Sequence, residues 1–377
     1  MRIGISLLDF QPGKSGGIET YCRDLIAGLE QTDHRNSYVV LLNLFNKGTL
    51  SVKSSNFQIV YVDEKSIKQK ILGKLGNRVS NEQLMQQCIQ ALGLDILHFP
   101  LQTIQPYLIT LDVKKIISIM DIQQEYYPEF FDKTDLDNRR EAYRKSCDAA
   151  TLIISISDFT KNSLVEKFDI NPSKIKTVHL NFDESLLSGG KSHQPVSGKY
   201  FYYPAASWPH KNHLKLLRAF KTVQKEYPDY KLVLTGISKQ KANEVQDYIQ
   251  NNFKSGSVEQ LGYVDRSVLA GLYKHAFALV FPSLFEGFGI PVVDAMVCKC
   301  PVICADTTSL PEIAGKAALY CDPKSPTDIA SKMTKLIEDE SLRNKLVRFG
   351  EKQAQKFTRY KMVANTLRVY DKVARMK

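Results

Sequence analysis

The sequence has 377 residues, of which 43% are hydrophobic and 24% are charged, a composition typical of globular proteins and a length that suits two domains. It contains no run of 18 apolar residues and no apolar core of a signal peptide near its start, so neither a membrane-spanning helix nor secretion is expected. The net charge is +11, but the Lys and Arg residues are spread along predicted helices without a zinc finger or RNP motif, which argues against a nucleic-acid partner.

The first half of the chain alternates short β-branched runs with helical patterns. Arg2–Leu8 is typical of a buried strand, and apolar residues between Ile18 and Leu29 mark one face of a helix. Further strands are predicted at 38–43, 57–62, 96–99, 115–120, 152–155 and 175–179. Helices are predicted near 77–92, 137–147 and 158–168, and Ser157 or Asp158 is expected to cap the last of them.

A polar stretch from Ser188 to Lys199 predicts a linker, after which the alternation restarts. Strands are predicted at 200–203, 231–234, 278–281, 301–305 and 318–321. Helices are predicted at 212–224, 239–251, 266–275, 291–297, 326–337 and 342–356. A last helical segment, 360–376, is expected to pack back on the first domain.

Alternation of strands and helices indicates parallel sheets covered on both faces. The predicted fold is therefore α/β, with two Rossmann-like doubly wound domains that face a central cleft. The predicted boundaries are 1–190 for the first domain, 191–358 for the second and 359–377 for the returning helix. The default ligand site of such an arrangement lies at the carboxyl ends of the strands, in the cleft.

The basic residues are unevenly distributed along the sequence. Residues 1–195 contain 23 Lys and Arg and 23 Asp and Glu, whereas residues 196–377 contain 28 and 17. This asymmetry suggests a small anionic ligand bound mainly by the second half, or a contact with an anionic membrane surface. The seven cysteines have no metal-site spacing, and Cys298, Cys300 and Cys304 are expected to be reduced, buried packing residues.

The most informative segment for function runs from Phe281 to Pro301 and reads FPSLFEGFGIPVVDAMVCKCP. Glu286 follows a predicted strand, and two glycines then lead into a helix that begins near Pro291. Free N–H groups at such a helix start suit a diphosphate, while Glu286 and Asp294 are suited to accept hydrogen bonds from sugar and ribose hydroxyls. Taken alone, Glu286 could equally be a loop charge and Asp294 an acid favoured by the helix dipole.

This segment resembles the signature of the retaining glycosyltransferases of family 4. The similarity extends nearly from end to end through GGIETY (16–21), ISDFTKNSL (156–164), NFD (181–183), WPHKNH (208–213), LGYVDRSVLAGLY (261–273) and TSLPEIAGKAALYCDP (308–323). The resemblance implies the GT-B fold, with an acceptor-binding first domain and a second domain that binds a nucleotide sugar. No G-x-G-x-x-G motif follows the first strand, which weakens a dinucleotide oxidoreductase as the alternative.

The resemblance also implies roles for individual residues. Glu286 would touch the transferred sugar, Asp294 the ribose and Lys211 the donor diphosphate. The remaining donor-binding residues implied by their motifs are Gly16, Gly17, Ser207, His210, Tyr263, Val264, Gly287, Phe288, Gly289, Ile290 and Ser309. Simpler explanations stay open for some of them: a tight turn at Gly16 and Gly17, core packing for Val264, and an N-cap with Glu312 as its partner for Ser309.

Three features depart from the family pattern. The family's usual arginine near Lys211 is not evident, and Ser207, Trp208 and His210 occupy that stretch. The family often has a histidine followed by an aspartate after the fifth strand, whereas this sequence has Met120 and Asp121, and methionine has no proton to donate to a sugar. Asp121 is the remaining candidate catalytic residue there, with Glu286 and Lys211, and Asp121, Gln123 and Glu125 are candidate acceptor contacts. Asp294 stands where glutamate is usual. His98 could face the cleft, but a core position is the more expected one.

The resulting hypothesis is a retaining, metal-independent hexosyltransferase without a cofactor. Its donor would be a GDP-, UDP- or dTDP-sugar, with mannose as the first guess and rhamnose or glucose as others. Its acceptor would be a glycan or lipid-linked glycan of a bacterial surface polysaccharide, handled in the cytoplasm or at the inner membrane face. A non-catalytic nucleotide-sugar-binding subunit is the main alternative, and a phosphorylase or isomerase is a weaker one.

Overall fold

The computed structural model describes residues 1–13, 16–62, 81–188, 194–237 and 243–376. The predicted boundary at 190 and most of the first half of the predicted linker lie outside these residues. The same is true of the first residues of the helices predicted at 77–92 and 239–251. The chain forms two compact units, one from residues 1–180 together with 359–377, and the other from residues 181–358. The first unit thus ends at Leu180 rather than at 190.

The first unit contains a sheet of seven parallel strands in the order β3-β2-β1-β4-β5-β6-β7. Its strands are β1 (Arg2–Leu7), β2 (Ser37–Asn43), β3 (Phe57–Val62), β4 (Ile96–Phe99), β5 (Lys114–Ile119), β6 (Leu152–Ser155) and β7 (Ile175–Thr177). The interior strand β1 is buried on both faces: Ile3, Ile5 and Leu7 have no exposed surface, and Ser6 on the opposite face is 1% exposed. This order, in which the sheet grows outward in both directions from β1, is that of a doubly wound Rossmann-like domain.

Helices cover this sheet, because every parallel connection must cross over it. They are α1 (Gly16–Thr32), α2 (Asn81–Gln90), α3 (Pro106–Ile109), α4 (Lys133–Ala149) and α5 (Asp158–Phe168). The predicted cap of α5 is present: Ser157 Oγ accepts a hydrogen bond from the amide of Thr160 at 3.0 Å. Helix α1 begins at Gly16, two residues before the predicted start.

The second unit contains six parallel strands in the order β10-β9-β8-β11-β12-β13. The strands are β8 (Lys199–Pro204), β9 (Tyr230–Thr235), β10 (Val258–Gly262), β11 (Ala278–Phe281), β12 (Val302–Ala305) and β13 (Ala318–Cys321). Its helices are α6 (Ser185–Ser188), α7 (His213–Glu226), α8 (Asn243–Asn252), α9 (Arg266–His275), α10 (Ile290–Val297), α11 (Leu310–Ala314), α12 (Pro326–Glu338) and α13 (Glu340–Ala354). Strand β10 was not predicted from the sequence, because this edge strand has only one β-branched residue, Val258.

A last helix, α14 (Arg359–Arg375), packs against α1 of the first unit. The two helices approach closely at Gly28, where a Cβ atom would lie 2.5 Å from Cγ2 of Val363. Arg359 also forms an ion pair with Asp24 at 2.8 Å.

The path of α14 corrects the expected charge asymmetry. Residues 359–377 contain six Lys and Arg and one acid, and they belong to the first unit. Counted by unit, the first contains 28 basic and 22 acidic residues and the second 23 and 18. The basic excess is thus shared between the units and does not single out the second as the binder of an anion.

The core of the first unit contains a polar network centred on His98. The two ring nitrogens of His98 lie 2.8 Å from Ser118 Oγ and 2.8 Å from the Tyr370 hydroxyl, and Ser118 Oγ lies 2.9 Å from the Tyr21 hydroxyl. His98 has no exposed surface, so it is a hydrogen-bonded core residue, and burial lowers its pKa to about 3.

Cys298, Cys300 and Cys304 are buried, as predicted, and form no disulfide in the structure. In the described part of the chain, each helix is too short or too polar to cross a lipid bilayer.

Candidate active site

The centre of the candidate site is an ion pair between Lys211 and Glu286 in the second unit. Lys211 Nζ lies 2.6 Å from Glu286 Oε1, and only 18% and 11% of the two side chains are exposed. Lys211 follows β8 and Glu286 follows β11, its neighbour in the sheet. Carboxyl ends of adjacent parallel strands meet at one edge, which explains why residues 75 positions apart come together.

The loop that carries Lys211 is fixed to the sheet by Asn212 and Tyr203. Residues Pro209–Lys211 form a 3₁₀ turn, and Asn212 ends it in a left-handed conformation with φ of 62°. The Asn212 side-chain amide donates hydrogen bonds to the carbonyls of Pro282, at 2.9 Å, and Pro323, at 2.7 Å. The Tyr203 hydroxyl donates to the carbonyl of Lys211. These buried contacts define where the lysine side chain starts.

The loop that carries Glu286 is held by the segment after β12. The amide of Glu286 donates to Thr308 Oγ1 at 3.2 Å, and Ser309 Oγ donates to the carbonyls of Glu286 and Phe288 at 2.9 and 3.0 Å. Ser309 precedes α11, but its side chain makes no capping hydrogen bond. Ser309 thus occupies the N-cap position of α11 without the capping hydrogen bond that the N-cap alternative implied, and its completely buried hydroxyl contacts the Glu286 loop.

The glycine segment after Glu286 leads directly into α10. Gly289 has φ of 99°, which a residue with a side chain rarely adopts, and a Cβ atom there would lie 2.6 Å from Leu310 Cδ2. Gly287 and Gly289 are buried, and Ile290 is half-buried at the helix start. The side chain of Phe288 packs edge-on against Phe357, with ring centres 5.5 Å apart, so any ligand contact from Phe288 comes from its backbone.

Asp294 lies in α10 and is only 5% exposed. Its Oδ1 accepts a hydrogen bond from the amide of Asp183 at 3.0 Å, so one carboxylate oxygen is already engaged by the NFD segment. The ribose contact implied for Asp294 stays a prediction.

The remaining predicted donor residues of the second unit differ widely in exposure. His210 and Ser207 are half-buried, and so is Val264, which is not a core residue. Tyr263 is 79% exposed and Trp208 is 55% exposed, so both present large apolar surfaces to solvent. Burial lowers the pKa of His210 to about 3 and that of His213 to about 4, and the nearby Lys211 adds to both effects. Both histidines are therefore neutral near pH 7.

Gly16 and Gly17 belong to the first unit and open α1. Both are exposed, and Gly16 has φ of 46° with open space where a Cβ atom would lie. Glu19 in the first turn of α1 accepts a hydrogen bond from the amide of Gly13 at 2.7 Å. These contacts fit both a tight turn and an exposed helix start that can approach a ligand.

The candidate acceptor residues lie after β5 of the first unit. Gln102 accepts hydrogen bonds from the amides of Met120, at 3.0 Å, and Asp121, at 3.2 Å. Asp121 Oδ1 accepts one from the amide of Gln123 at 3.0 Å, while Glu125 is paired with Arg140 at 3.0 Å. Met120 is 5% exposed, so its side chain is a packing residue.

Sequence reasoning assigned no role to Asn212, Tyr203 or Thr308, although each orients the loops of Lys211 and Glu286. A signal exists for Asn212, since asparagine tolerates the left-handed conformation and commonly ends a helical turn. Thr308 also has a positive φ, of 56°, and the local sequence does not predict this conformation. No sequence signal distinguishes Tyr203 from any other aromatic core residue of a strand.

Comparison with known families accounts for nearly the whole chain. The family model described as Glycosyltransferase Family 4 matches residues 15–186, and the model described as Glycosyl transferases group 1 matches residues 190–353. O-antigen chain mannosyltransferase B of Escherichia coli is 29% identical over 266 residues, which are 68% of this chain and 70% of that protein. O-antigen chain mannosyltransferase RfbU of Salmonella typhimurium is 30% identical over 55% of this chain and 56% of its own length.

Solved structures with the same architecture span both units. Sucrose-phosphate synthase from Thermosynechococcus elongatus superposes with a TM-score of 0.75 at 14% identity and covers 99% of both chains. Alr3699/HepE from Anabaena, in complex with UDP and glucose, has a TM-score of 0.73 at 18% identity and full coverage of both chains. The predicted fold class, with two Rossmann-like domains of the GT-B type, is thereby confirmed. From residue 15 to residue 353, the chain is thus a member of the family 4, group 1 glycosyltransferases.

Proposed function

We propose that this glycosyltransferase is a retaining mannosyltransferase of bacterial surface polysaccharide synthesis. Its donor is a nucleoside diphosphate sugar, GDP-mannose in the first instance, and its acceptor is a glycan or lipid-linked glycan. The single observation that carries the proposal is the Lys211–Glu286 pair, at 2.6 Å, beside the start of α10. The O-antigen mannosyltransferases among the relatives support the choice of mannose and of the acceptor class.

The arrangement suits cleavage of a sugar–diphosphate bond. Negative charge develops on the diphosphate as it leaves, and an ammonium group together with helix N–H groups stabilises such charge. Lys211 supplies the first, and the Ile290 amide at the start of α10 supplies the second, since Pro291 has no N–H and the amide of Val292 donates to the Gly289 carbonyl at 2.9 Å. Glu286 accepts hydrogen bonds from the hydroxyls of the transferred sugar. In a retaining transfer the acceptor hydroxyl attacks from the face that the diphosphate leaves, and a diphosphate oxygen takes its proton.

Neither a metal ion nor a cofactor enters this proposal, because Lys211 supplies the cationic charge. Asp121 and Gln123, at the carboxyl end of β5, are proposed to contact the acceptor. Glu125 is less suited to that role, since its carboxylate is paired with Arg140. We place the reaction in the cytoplasm, at or near the inner membrane face, because a lipid-linked acceptor would be presented there.

The proposal is tested by incubating the protein with GDP-mannose, UDP-glucose and dTDP-rhamnose. Because a ligand that binds only the folded state raises the melting temperature, one donor should stabilise the protein more than the others. That donor should then release free nucleoside diphosphate in the presence of a membrane extract that contains lipid-linked glycans. Stabilisation by none of the donors would refute the proposal.

A second candidate is a non-catalytic subunit that binds a nucleotide sugar. Two observations favour it: Met120 is a buried packing residue, and Asp294 already accepts a backbone hydrogen bond. Under this alternative a nucleotide sugar stabilises the protein, yet no nucleoside diphosphate is released with any acceptor.

A further inference from the structure

The two residues assigned to different parts of the donor are bound to each other. Lys211, assigned to the diphosphate, donates to Glu286, assigned to the sugar, at 2.6 Å. With 18% and 11% of their side chains exposed, each charged group would be costly to leave without a partner. The pair therefore gives each group a partner of opposite charge, through one hydrogen bond between Lys211 Nζ and Glu286 Oε1.

The backbones on both sides of the pair are held in place. The Lys211 carbonyl accepts from the Tyr203 hydroxyl, and the carbonyl of His210 accepts from the amide of Leu284 at 2.7 Å. On the other side, Glu286 is held through its amide and its carbonyl by Thr308 and Ser309. A change of partner is thus confined to the two side chains and does not require movement of either loop.

The chemistry of the pair allows such an exchange. A lysine ammonium is a point charge on a flexible four-carbon stem, so it can turn from a carboxylate to a phosphate oxygen. Resting on the function proposed above, we propose that the donor exchanges the partners of the Lys211–Glu286 pair. Donor binding moves Lys211 from Glu286 to the diphosphate, and the freed carboxylate accepts hydrogen bonds from the sugar hydroxyls.

This exchange discriminates between the donor and the nucleoside diphosphate product. The donor gives each residue of the pair a new partner, because its diphosphate engages Lys211 and its sugar engages Glu286. The free nucleoside diphosphate gives a new partner to Lys211 only, and it leaves Glu286 as an unpaired carboxylate close to the anion. Return of Glu286 to Lys211 then favours release of the product.

Isothermal titration calorimetry with GDP and with UDP tests the exchange. Glu286→Gln should bind the preferred nucleotide about tenfold more tightly than the wild type, because Lys211 no longer has a carboxylate partner. Lys211→Ala should bind it more weakly. In the double variant, the gain from Glu286→Gln should vanish, because that gain acts through Lys211. Asp306→Asn, which removes an exposed carboxylate after β12, is the matched control and should leave the affinity unchanged.

Three results would overturn the exchange while the wild type still binds a nucleotide. They are no tighter binding by Glu286→Gln, an equal gain from Asp306→Asn, and a gain that persists in the Lys211→Ala background. Failure of the wild type to bind either nucleotide would instead contradict the proposed function. Because a variant could lose affinity by unfolding, melting temperatures are measured for all proteins, and Glu286→Ala serves as a second variant that also frees Lys211.

Discussion

Ser309 Oγ lies 2.9 Å from the backbone oxygen of Glu286 and donates a hydrogen bond to it. The same hydroxyl also donates to the carbonyl of Phe288, so one buried side chain holds both ends of the turn that carries the glutamate. Ser309→Ala should destabilise the protein by about 1–2 kcal/mol, since the carbonyls of Glu286 and Phe288 lose the hydroxyl proton that they share. It should also lower transfer about tenfold, because Glu286 is less well oriented. Denaturant unfolding and initial rates measure the two effects.

Ser309→Thr is the control, since it keeps the hydroxyl. Transfer by Ser309→Ala at the wild-type rate would show that the turn is oriented by Thr308 or by packing alone.

Replacement of Lys211 or Glu286 by alanine should abolish detectable transfer and leave the fold intact. Each residue supplies a charged group at the reacting part of the donor, and neither belongs to the hydrophobic core. Each variant should unfold at a lower temperature than the wild type, because the remaining charge of the pair loses its partner. Release of nucleoside diphosphate is the assay, and circular dichroism checks the fold. Turnover by either variant at a rate close to that of the wild type would refute the assignment of the site.

Asn212→Ala and Asn212→Gly separate the two contributions of this residue. Both variants lose the hydrogen bonds to Pro282 and Pro323, but only glycine accepts the left-handed backbone without strain. We expect a loss of about 2–4 kcal/mol for alanine and a smaller loss for glycine in urea unfolding. Both should weaken nucleotide binding, since the Lys211 loop is released from β11 and β13. An equal loss of stability in both variants would show that backbone strain plays no part.

The buried His98 makes stability depend on pH. Its pKa is lowered to about 3 by burial, whereas in the unfolded chain it is close to 6.5, so the unfolded state takes up the proton first. The contribution of the neutral His98 to the free energy of unfolding is complete above pH 6.5 and is lost as the pH falls towards 3. Between pH 7 and pH 5 we expect a loss of about 2 kcal/mol from this residue. The free energy of unfolding is measured at both pH values for the wild type and for His98→Gln. Because the variant lacks the titrating group, its stability should depend less steeply on pH.

Gly28 of α1 allows the close approach of α14. In Gly28→Ala, the new methyl group would lie 2.5 Å from Val363 Cγ2, so the helices must separate, at a cost of about 1–3 kcal/mol. Val363→Ala in the same chain should recover part of this loss, because it removes the clashing methyl group. Additive losses in the double variant would argue that the helices do not meet at this point.

Much of the fold was accessible from the sequence, because buried strands such as Ser37–Asn43 and Leu152–Ser155 are short β-branched runs between helical patterns. The edge strand Phe57–Val62 also has several β-branched residues and was predicted, whereas the edge strand Val258–Gly262 has one and was not.

The pairing of Lys211 with Glu286 follows from their positions after adjacent strands, but the sequence does not state which strands are neighbours. The contacts by which Asn212, Thr308 and Ser309 hold the two loops were not predictable for a similar reason, although the left-handed backbone of Asn212 has a sequence signal. They depend on hydrogen bonds from side chains to backbone atoms far away in the sequence, which leave no periodic pattern. The charge asymmetry was misleading because residues 359–377, although last in the sequence, belong to the first unit.

The return of α14 to the first unit has a consequence for biosynthesis. A ribosome delivers residues 181–358, which complete the second unit, before it delivers the helix that contains Tyr370, the partner of His98. Throughout translation of that middle segment, β4 and α1 of the first unit lack the cover of α14, and His98 lacks the Tyr370 hydroxyl. The amino-terminal unit is therefore the last to mature, although it is the first to be synthesised.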